Sequence, residues 1–333
     1  MSGNPKQKLK LLYIADILKK YTDEEHAMAV GEIIEHLEKE GIVAERKSVY
    51  NDIKVLRDYG MPIINGNEPV RGFFYAGGEF QLSELMMLID AVQASPVITR
   101  KKTKEFIEKL RSMASVHQSQ QLESQIYIDN RFKSENEEIY YNIDRIKQAV
   151  NRGVKVKFIY QRRQLVGNIP VLDTGREFVI SPYATIWNDD KYYLVGNYDK
   201  YDDLSHYRID KMKRVECTDE PARDFREVCG YTSRFDAADY TRRVFNMFAG
   251  ANQRGVELVC ENRLLETMIE RFGISVPYKQ IDSEHFMIKV YAVANDGLEQ
   301  WVLNFGGGVV VKSPSELRDS IKKRLECMLE DYK

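Results

Sequence analysis

Three stripes of apolar residues at helical spacing open the chain. The first contains Leu11, Ile14, Leu18 and Tyr21; the second Val30, Ile33, Ile34 and Leu37; the third Val49, Ile53, Leu56 and Tyr59. A spacing of three or four residues places each set on one face of an α-helix. Gly41 and Gly60 follow the second and third stripes, where glycine allows the left-handed turn that ends a helix. The pattern therefore predicts three helices that bury these faces.

A two-stranded hairpin is predicted directly after the third helix. Residues 61–64 and 72–75 read as strands on either side of the turn-rich residues 65–69. Three short helices and a hairpin follow each other as in a winged helix-turn-helix, so we expect such a DNA-binding domain over residues 1–78. Helical spacing returns between Ser83 and Ser115 with a break at Ser95-Pro96, which predicts a helical linker or dimerisation arm over 79–138.

Strand-like alternation begins near residue 140. Residues 154–160, 192–195 and 207–209 alternate with a period of two, as half-buried strands do, and strands of this length favour a small β-barrel over 139–220. After a connector over 221–255, strands and helices follow in the order β-α-β-α-β-α, which predicts an α+β domain over 256–333. The expected fold class is therefore a multidomain α+β chain.

Composition limits where such a chain can act. The 333 residues include 49 Lys+Arg and 51 Asp+Glu, for a net charge of −2, so any attraction to nucleic acid must come from local clusters. Apolar runs stay short of the roughly 18 residues of a membrane helix, and residues 1–10 do not resemble a signal peptide. We expect a cytoplasmic protein with no membrane association.

The four cysteines lie far apart without a CxxC pair, so we expect buried thiols and no metal site.

The polar face of the third predicted helix carries groups suited to DNA. Lys47, Tyr50, Asn51 and Lys54 lie opposite the apolar stripe, with Arg46 and Ser48 beside them. An asparagine amide suits a bidentate contact with adenine, and cations reach phosphates, as would Arg71 in the hairpin. The alternative is a solvated helix face. Residues 1–78 hold 11 basic and 12 acidic residues, a net of −1. Binding therefore calls for two copies, a homodimer on double-stranded operator DNA.

A second basic cluster lies between Asp144 and Arg163. This segment contains seven basic residues and one acidic residue, for a net charge of +6. The strand over 154–160 places Val154, Val156, Phe158 and Tyr160 on one face, and Arg162 and Arg163 fall just beyond its end. Guanidinium groups in that position suit phosphate oxygens.

Taken together, these segments show that the chain resembles the WYL-domain transcriptional regulators of bacteria. The matching segments are Arg46 to Leu56, Gly72 to Tyr75, Ser181-Pro182-Tyr183, Tyr192 to Gly196, Tyr207 to Met212, Trp301 to Gly306 and Val309 to Pro314. Two positions depart from the family pattern: Tyr192 stands where the family usually has Trp, and Asn51 where the recognition helix often carries Arg.

The resemblance implies a winged helix-turn-helix, a helical linker, a small Sm/SH3-like β-barrel (the WYL domain) and a C-terminal extension. It further implies that the barrel senses a nucleic-acid fragment or a nucleotide-type effector. The matching effector positions are Tyr160, Arg162, Arg163, Tyr183 and Arg208. For Arg208, an ion pair with Asp210 that only joins strands is an equal alternative.

Enzyme motifs are missing from the sequence. The five histidines lack HExxH spacing, and neither GxSxG nor GxxxxGK[ST] occurs. Gly306 to Gly308 precede three valines and predict a turn, and Asp189-Asp190 and Asp202-Asp203 are typical of hairpin turns. We therefore expect a ligand-responsive regulator that is not an enzyme and uses no cofactor. The alternatives are a nucleic-acid-processing enzyme and a single-strand-binding module that uses the basic surface.

Overall fold

The computed structural model describes residues 5–66, 71–123, 133–231, 235–245, 247 and 253–333. The chain divides into two compact units, Met1–Glu135 and Asn136–Lys333. Each unit is described by itself.

The first unit begins with three helices and a hairpin. After a 3-10 turn (Pro5–Leu9) come α1 (Lys10–Tyr21), α2 (Val30–Lys39), α3 (Arg46–Asp58), β1 (Ile63–Gly66) and β2 (Gly72–Tyr75). The three predicted stripes meet in one core, in which Ile14, Leu18, Ile33, Leu37, Val49 and Ile53 are almost fully buried. Tyr59, at the end of the third stripe, is 84% exposed, so its predicted burial is wrong. The predicted helices and hairpin are thus present in the predicted order. Residues 67–69 of the predicted turn lie outside the described residues.

The hairpin is fixed against the loop between α1 and α2. β1 and β2 pair antiparallel, with Ile63 opposite Tyr75, and Phe73 exchanges backbone hydrogen bonds of 2.8 and 2.9 Å with Met28. Gly72 adopts φ +146°, and a Cβ at this position would lie 2.4 Å from the carbonyl oxygen of Met28. Only glycine therefore allows this close approach of two backbones.

Three further helices follow in the described part of this unit: α4 (Leu82–Ala94), α5 (Arg100–Arg111) and α6 (Val116–Glu123). They share a small core of Leu85, Ile89, Ile107 and Leu122. The predicted break at Ser95-Pro96 falls between α4 and α5, where the Thr99 hydroxyl caps α5 by accepting from the Lys102 amide. The third helix of this group, α6, was not predicted.

A buried polar cluster joins the start of α6 to the loop after α1. The Asp23 carboxylate accepts a hydrogen bond from the Ser115 hydroxyl and the Asp23–His26 pair closes at 2.7 Å, while His26 stacks on His117 with ring centroids 3.9 Å apart. Burial alone raises the pKa of Asp23, but these hydrogen bonds outweigh it and hold that pKa below its usual value.

The second unit begins with a helix and an antiparallel sheet. The elements are α7 (Ile139–Arg152), β3 (Val154–Tyr160), β4 (Arg163–Val166), β5 (Ile169–Leu172), β6 (Arg176–Asn188), β7 (Lys191–Asn197), β8 (Leu204–Arg208) and β9 (Met212–Pro221). Five strands pair in the order β8-β7-β6-β3-β9, and β4 and β5 form a separate hairpin. The predicted strand over 154–160 and its buried face of Val156, Phe158 and Tyr160 are confirmed. Closure of this sheet into a barrel stays a prediction.

The C-terminal part of this unit alternates strands and helices as predicted. After α8 (Ala237–Arg243) come β10 (Gln253–Glu261), α9 (Leu265–Phe272), β11 (Tyr278–Gln280), β12 (His285–Val293), α10 (Asp296–Leu303), β13 (Val309–Ser313) and α11 (Ser315–Asp331). The sheet runs β11-β12-β10-β13 and is antiparallel throughout. Only the short strand β11 is additional to the predicted order. Gly306 to Gly308 form the predicted turn before β13.

The cysteines differ from the expectation of four buried thiols. Cys260 is buried, and burial raises the pKa of its thiol to about 12. Cys217 and Cys229 are partly exposed and Cys327 is exposed, so that prediction is wrong for three of the four. Within the described ranges, no helix is both long and apolar enough to cross a membrane.

Candidate nucleic-acid interface and effector site

The polar face of α3 is open to solvent. Val49, Ile53 and Leu56 bury the opposite face of the helix in the core. Five of the predicted DNA-contacting residues on this helix are exposed, namely Arg46, Lys47, Tyr50, Asn51 and Lys54, and Ser48 is partly buried. The helix thus presents an amide, a phenol and three cations on one accessible side, a set that can donate to base edges and phosphates.

Lys10 of α1 orients two residues of α3. Its ammonium donates to the Ser48 hydroxyl and lies 2.7 Å from the Asp52 carboxylate. Because this ion pair neutralises Asp52, that carboxylate does not offset the charge of Lys47 and Lys54. Sequence reasoning missed Lys10, because its partners lie about 40 positions along the chain and periodicity says nothing about such contacts.

Arg57 joins α3 to the hairpin. Its Nε donates to the Ile63 carbonyl at 2.7 Å and a terminal nitrogen donates to the Asn65 side chain at 2.7 Å. Its guanidinium also lies 5.2 Å from the centre of the Phe73 ring. Tyr50 meets the same ring edge-on at 5.8 Å. The hairpin is therefore held beside the exposed face of α3, and Arg71, at the start of its second strand, is exposed.

We expect Arg57→Ala to lower the free energy of unfolding of the first unit by about 1 kcal/mol, because it removes two hydrogen bonds and a cation–π contact at a partly exposed site. Chemical denaturation followed by circular dichroism measures this change. Arg57→Lys keeps the charge but cannot donate to both acceptors, so it should recover only part of the loss. Equal stability of all three proteins would contradict this role.

Three of the predicted effector residues come together at one end of β3 and β8. The Arg208 backbone amide donates to the Tyr160 hydroxyl at 3.3 Å, and the Arg162 guanidinium lies 5.8 Å from the centre of the Tyr160 ring. The side chain of Arg208 donates to Asp210 from two nitrogens, at 3.1 and 2.7 Å. Tyr160 packs among Phe158, Phe178 and Tyr207 and is only 9% exposed. It therefore supports Arg208 more than it offers a surface to a ligand.

Cations crowd around this point. Burial lowers the pKa of Lys211, and repulsion from Arg208, Arg162 and Lys191 lowers it further, against the attraction of Asp210. Burial also acts to lower the pKa of Arg208, but its bonds with Asp210 outweigh that effect and raise it. Three basic groups and one carboxylate act on Lys211, so the local potential there is positive and an anion would relieve it. We name Arg162, Lys191, Arg208 and Lys211 the cation cluster.

Lys191 and Lys211 were not among the predicted site residues. Lys211 lies in the segment Tyr207 to Met212 that carries the family resemblance, so its position was visible in the sequence. Lys191 follows the Asp189-Asp190 turn, whose left-handed φ values of 45° and 57° bring it back to the sheet. Only the fold shows that Lys191 and Arg208 both lie near Lys211.

Tyr183 and Arg163, the other two predicted effector residues, lie outside the cation cluster. The Tyr183 ring is 9% exposed and packs against Phe225 and Phe235, in a separate apolar cluster beside the connector. Burial raises the pKa of its phenol. Arg163 begins the β4–β5 hairpin and is exposed. Within the segment Tyr192 to Gly196, Leu194 is fully buried and Tyr192 meets Trp187 edge-on at 4.6 Å, so both contribute to packing.

A metal site is not formed in the part of the chain that the structure describes. There, no group of three or more His, Cys, Asp or Glu side chains converges as a metal site would require.

Comparisons with known proteins identify two domains. A family model for the WYL domain matches residues 141–217, and a model for the WCX domain matches residues 254–329. No curated protein matches the chain. The solved structures that are similar to it include the following two. Proteasome accessory factor B/C (PafBC) of Arthrobacter aurescens is 16% identical, with 99% of this chain and 56% of that chain covered and a TM-score of 0.29. A CRISPR Cas-related protein is 13% identical, with 100% and 87% covered and a TM-score of 0.35.

The chain thus spans 56% of the length of PafBC. The two domain matches cover the sheet that carries the cation cluster and the C-terminal sheet with its helices. The chain therefore contains a WYL domain followed by a WCX domain.

Proposed function

We propose that this protein is a DNA-binding transcription regulator whose WYL domain senses a nucleic-acid fragment or a nucleotide-type effector. The observation that carries the proposal is the exposed polar face of α3, which is held beside a hairpin while its opposite face is buried. Helices that read DNA need this arrangement, because the major groove admits one helix whose accessible side chains reach base edges.

On operator DNA, each exposed group of α3 has a role that its chemistry fits. Asn51 reads a base edge, with adenine as the preferred partner, and Tyr50 lies beside it. Arg46, Lys47 and Lys54 contact phosphates, Ser48 is oriented by Lys10, and Arg71 on the hairpin reaches a flanking phosphate. Because residues 1–78 carry a net charge of −1, we propose that a homodimer binds paired half-sites.

The effector site that we propose is the cation cluster. Its four basic groups suit a phosphate or a short phosphodiester, and the planar guanidinium groups of Arg162 and Arg208 can each donate two hydrogen bonds to it. Arg163 follows Arg162 directly along the chain, and Tyr160 holds the backbone of Arg208. The buried Tyr183 contributes to packing. An effector alters operator binding only if it prefers one arrangement of the protein over another.

A titration of labelled duplex fragments tests the DNA-binding part of the proposal. We expect protein-dependent anisotropy on a duplex from its own upstream region, and a symmetric footprint that Asn51→Ala weakens. Failure of every duplex at low salt, together with binding to single strands, would favour the single-strand-binding alternative. Turnover of labelled DNA, RNA or nucleotides with Mg²⁺ would favour an enzyme instead.

We expect Arg208→Ala to leave operator affinity unchanged but to weaken the response to an anionic effector by roughly 10- to 100-fold, the effect of removing one charge-assisted hydrogen bond. The probes are short 5′-phosphorylated single strands and mononucleotides, added to the preformed DNA complex. Arg152→Ala, an exposed arginine at the end of α7, is the matched control. If Arg208 only forms an ion pair with Asp210, Asp210→Asn should weaken the effector response as much as Arg208→Ala does. If Arg208 binds the effector, the response should persist in Asp210→Asn.

A further inference from the structure

A hairpin of aliphatic residues extends from the WYL domain into solvent. In the described part of the chain, β4 and β5 pair only with each other, and every residue in 162–172 is exposed. The exposed fractions of Leu165, Val166, Ile169 and Leu172 are 73%, 58%, 67% and 51%. A contiguous exposed apolar patch marks an interaction surface, because water alone does not favour it.

The root of this hairpin is fixed although its strands are exposed. The Arg162 amide donates to the Asp173 carboxylate at 2.8 Å, and the Asp173 amide donates to the Arg162 carbonyl at 2.9 Å. The same carboxylate accepts from the Gly175 amide at 3.1 Å, and the Gln161 side chain donates to the Asp173 carbonyl at 3.0 Å. A hairpin held in this way does not have to be ordered when a partner binds, which lowers the entropic cost of binding.

The two outer edges of the hairpin differ. Val166 and Ile169 flank the two-residue turn and form its hydrogen-bonded pair, so the next pair, Leu165 and Pro170, directs its backbone groups outward. Proline has no N–H, and the outer edge of β5 therefore lacks a donor at this point. On β4, the N–H and the carbonyl of Leu165 both point outward. Among the described strands none pairs with this edge, so an extended chain can add to it.

Positive charge lies at the root of the hairpin. Arg162 and Arg163 lie at the start of β4 and Arg176 at the start of β6, and all three are exposed. The one acidic residue in 161–176 is Asp173, whose carboxylate already accepts two backbone amides. The root therefore attracts acidic side chains.

A cleft of about 410 Å³ opens at the same root and is lined by Gln161 and Thr174 on either side of the hairpin. It also contains two cations, Lys213 and Arg214, and one carboxylate, Glu138. The Lys213 ammonium lies 3.8 Å from the Glu138 carboxylate, which also accepts from the Arg214 amide at 3.4 Å. Two cations against one carboxylate leave the cleft with a net positive charge, and it has room for an acidic side chain.

The chemistry of the hairpin favours a peptide over other occupants. Residues 163–172 include no aromatic ring on which the bases of a single-stranded nucleic acid could stack. In the core of a lipid bilayer, the outward N–H and carbonyl of Leu165 would lose their hydrogen bonds to water without replacement. A second copy of this chain paired along β4 would bring no carboxylates to the arginines at the root. An extended acidic peptide meets all three requirements.

We propose that β4 binds an extended segment of a partner protein by strand addition. The apolar side chains of that segment lie against Leu165 and Val166, and its acidic end lies at the hairpin root. Backbone hydrogen bonds along the edge supply affinity, and the alternating side chains and the acidic end supply specificity. This inference goes beyond the proposed function, and it does not depend on DNA binding.

Two synthetic peptides test the proposal with the full chain. Both carry fluorescein and alternate valine with threonine over six residues; one then ends in three aspartates and the other in three lysines. In anisotropy titrations we expect the aspartate peptide to bind roughly 10-fold more tightly than the lysine peptide, and Arg163→Glu to remove this preference. Equal binding of the two peptides to the wild type, or binding of neither, overturns the proposal.

Two substitutions at one position test the open edge. Leu165→Pro removes the outward donor of β4 but keeps the pairing with β5, because the N–H of Leu165 is not used in that pairing. Leu165→Thr keeps the donor and is the matched control. We expect Leu165→Pro to weaken binding of the aspartate peptide roughly 10-fold and Leu165→Thr to weaken it by about 3-fold or less. Unchanged operator binding and unchanged circular dichroism in both variants show that the fold is intact.

Three results assign the hairpin elsewhere and overturn the proposal. The first is equal peptide binding by Leu165→Pro and the wild type. The second is binding of anionic phospholipid vesicles or single-stranded oligonucleotides that Leu165→Pro abolishes. The third is a dimer in sedimentation equilibrium that Leu165→Pro dissociates, which would make a second copy the occupant.

Discussion

Replacing Asn51 and Lys54 together with alanine is expected to weaken binding to duplex operator DNA by roughly 100-fold. The double change removes from each α3 one amide that can read a base and one cation that can contact a phosphate. A bidentate amide–base contact contributes about 1–3 kcal/mol, so 100-fold, about 2.7 kcal/mol, lies within the range for one such contact and one cation. Both side chains are exposed, so the fold should not change. Anisotropy titrations at fixed salt measure the affinity.

The two single variants separate base recognition by Asn51 from the electrostatic contact of Lys54 with the DNA backbone. Asn51→Ala should reduce the preference for the operator over a scrambled duplex and leave the salt dependence unchanged. Lys54→Ala should weaken both duplexes alike and reduce the salt slope by about one for each phosphate that the lysine neutralises. Lys104→Ala, an exposed lysine on α5, makes the same charge change elsewhere in the unit and should have no effect. Wild-type affinity in the double variant would remove α3 from the interface.

Local periodicity accounts for much of what could be predicted. The stripe at Val49, Ile53 and Leu56 is buried in the structure, and the strand over 154–160 has the residues and the buried face that alternation predicted. In both cases one side of the element packs into a core. Apolar residues therefore recur along the sequence with a period of 3.6 in the helix and 2 in the strand. An exposed face is then predicted by elimination.

Contacts between distant residues leave no such trace. Lys10 reaches Asp52, Arg57 reaches Ile63 and Asn65, and Ser115 reaches Asp23. Each partner is a common surface residue type, and only tertiary packing selects it. The cation cluster shows the same limit, because Arg162, Lys191 and Lys211 come from different strands or turns. Tyr183 shows the same limit. It follows a recognisable Ser-Pro pair and was therefore predicted to contact the effector, but its ring packs against Phe225 and Phe235.

A partly buried histidine links the WYL sheet to the segment after it. His206 of β8 lies 2.6 Å from the Met247 carbonyl through Nδ1 and 2.8 Å from the Tyr240 hydroxyl through Nε2. Because a carbonyl can only accept, Nδ1 carries the proton, and Nε2 accepts from the tyrosine. A protonated ring would donate from both nitrogens, and the Tyr240 hydroxyl would have to turn from donor to acceptor. Burial lowers the pKa of His206 to about 4, with the Met247 hydrogen bond opposing that shift. The neutral imidazole is thus the form that fits this junction.

We expect this histidine to make the second unit sensitive to acid. The unfolded chain protonates His206 near pH 6.5, whereas the folded protein does so only near pH 4. Stability is therefore fully present above pH 6.5 and falls as the pH drops towards 4, by up to about 3 kcal/mol at 1.36 kcal/mol per unit of pKa difference. His206→Gln keeps a donor for Met247 and an acceptor for Tyr240 but does not titrate. Urea denaturation of both proteins at pH 7, 5.5 and 4 should show the wild type losing about 3 kcal/mol more than the variant, because carboxyl groups such as Asp23 titrate alike in both. Parallel curves would show that the imidazole is already solvated in the folded protein.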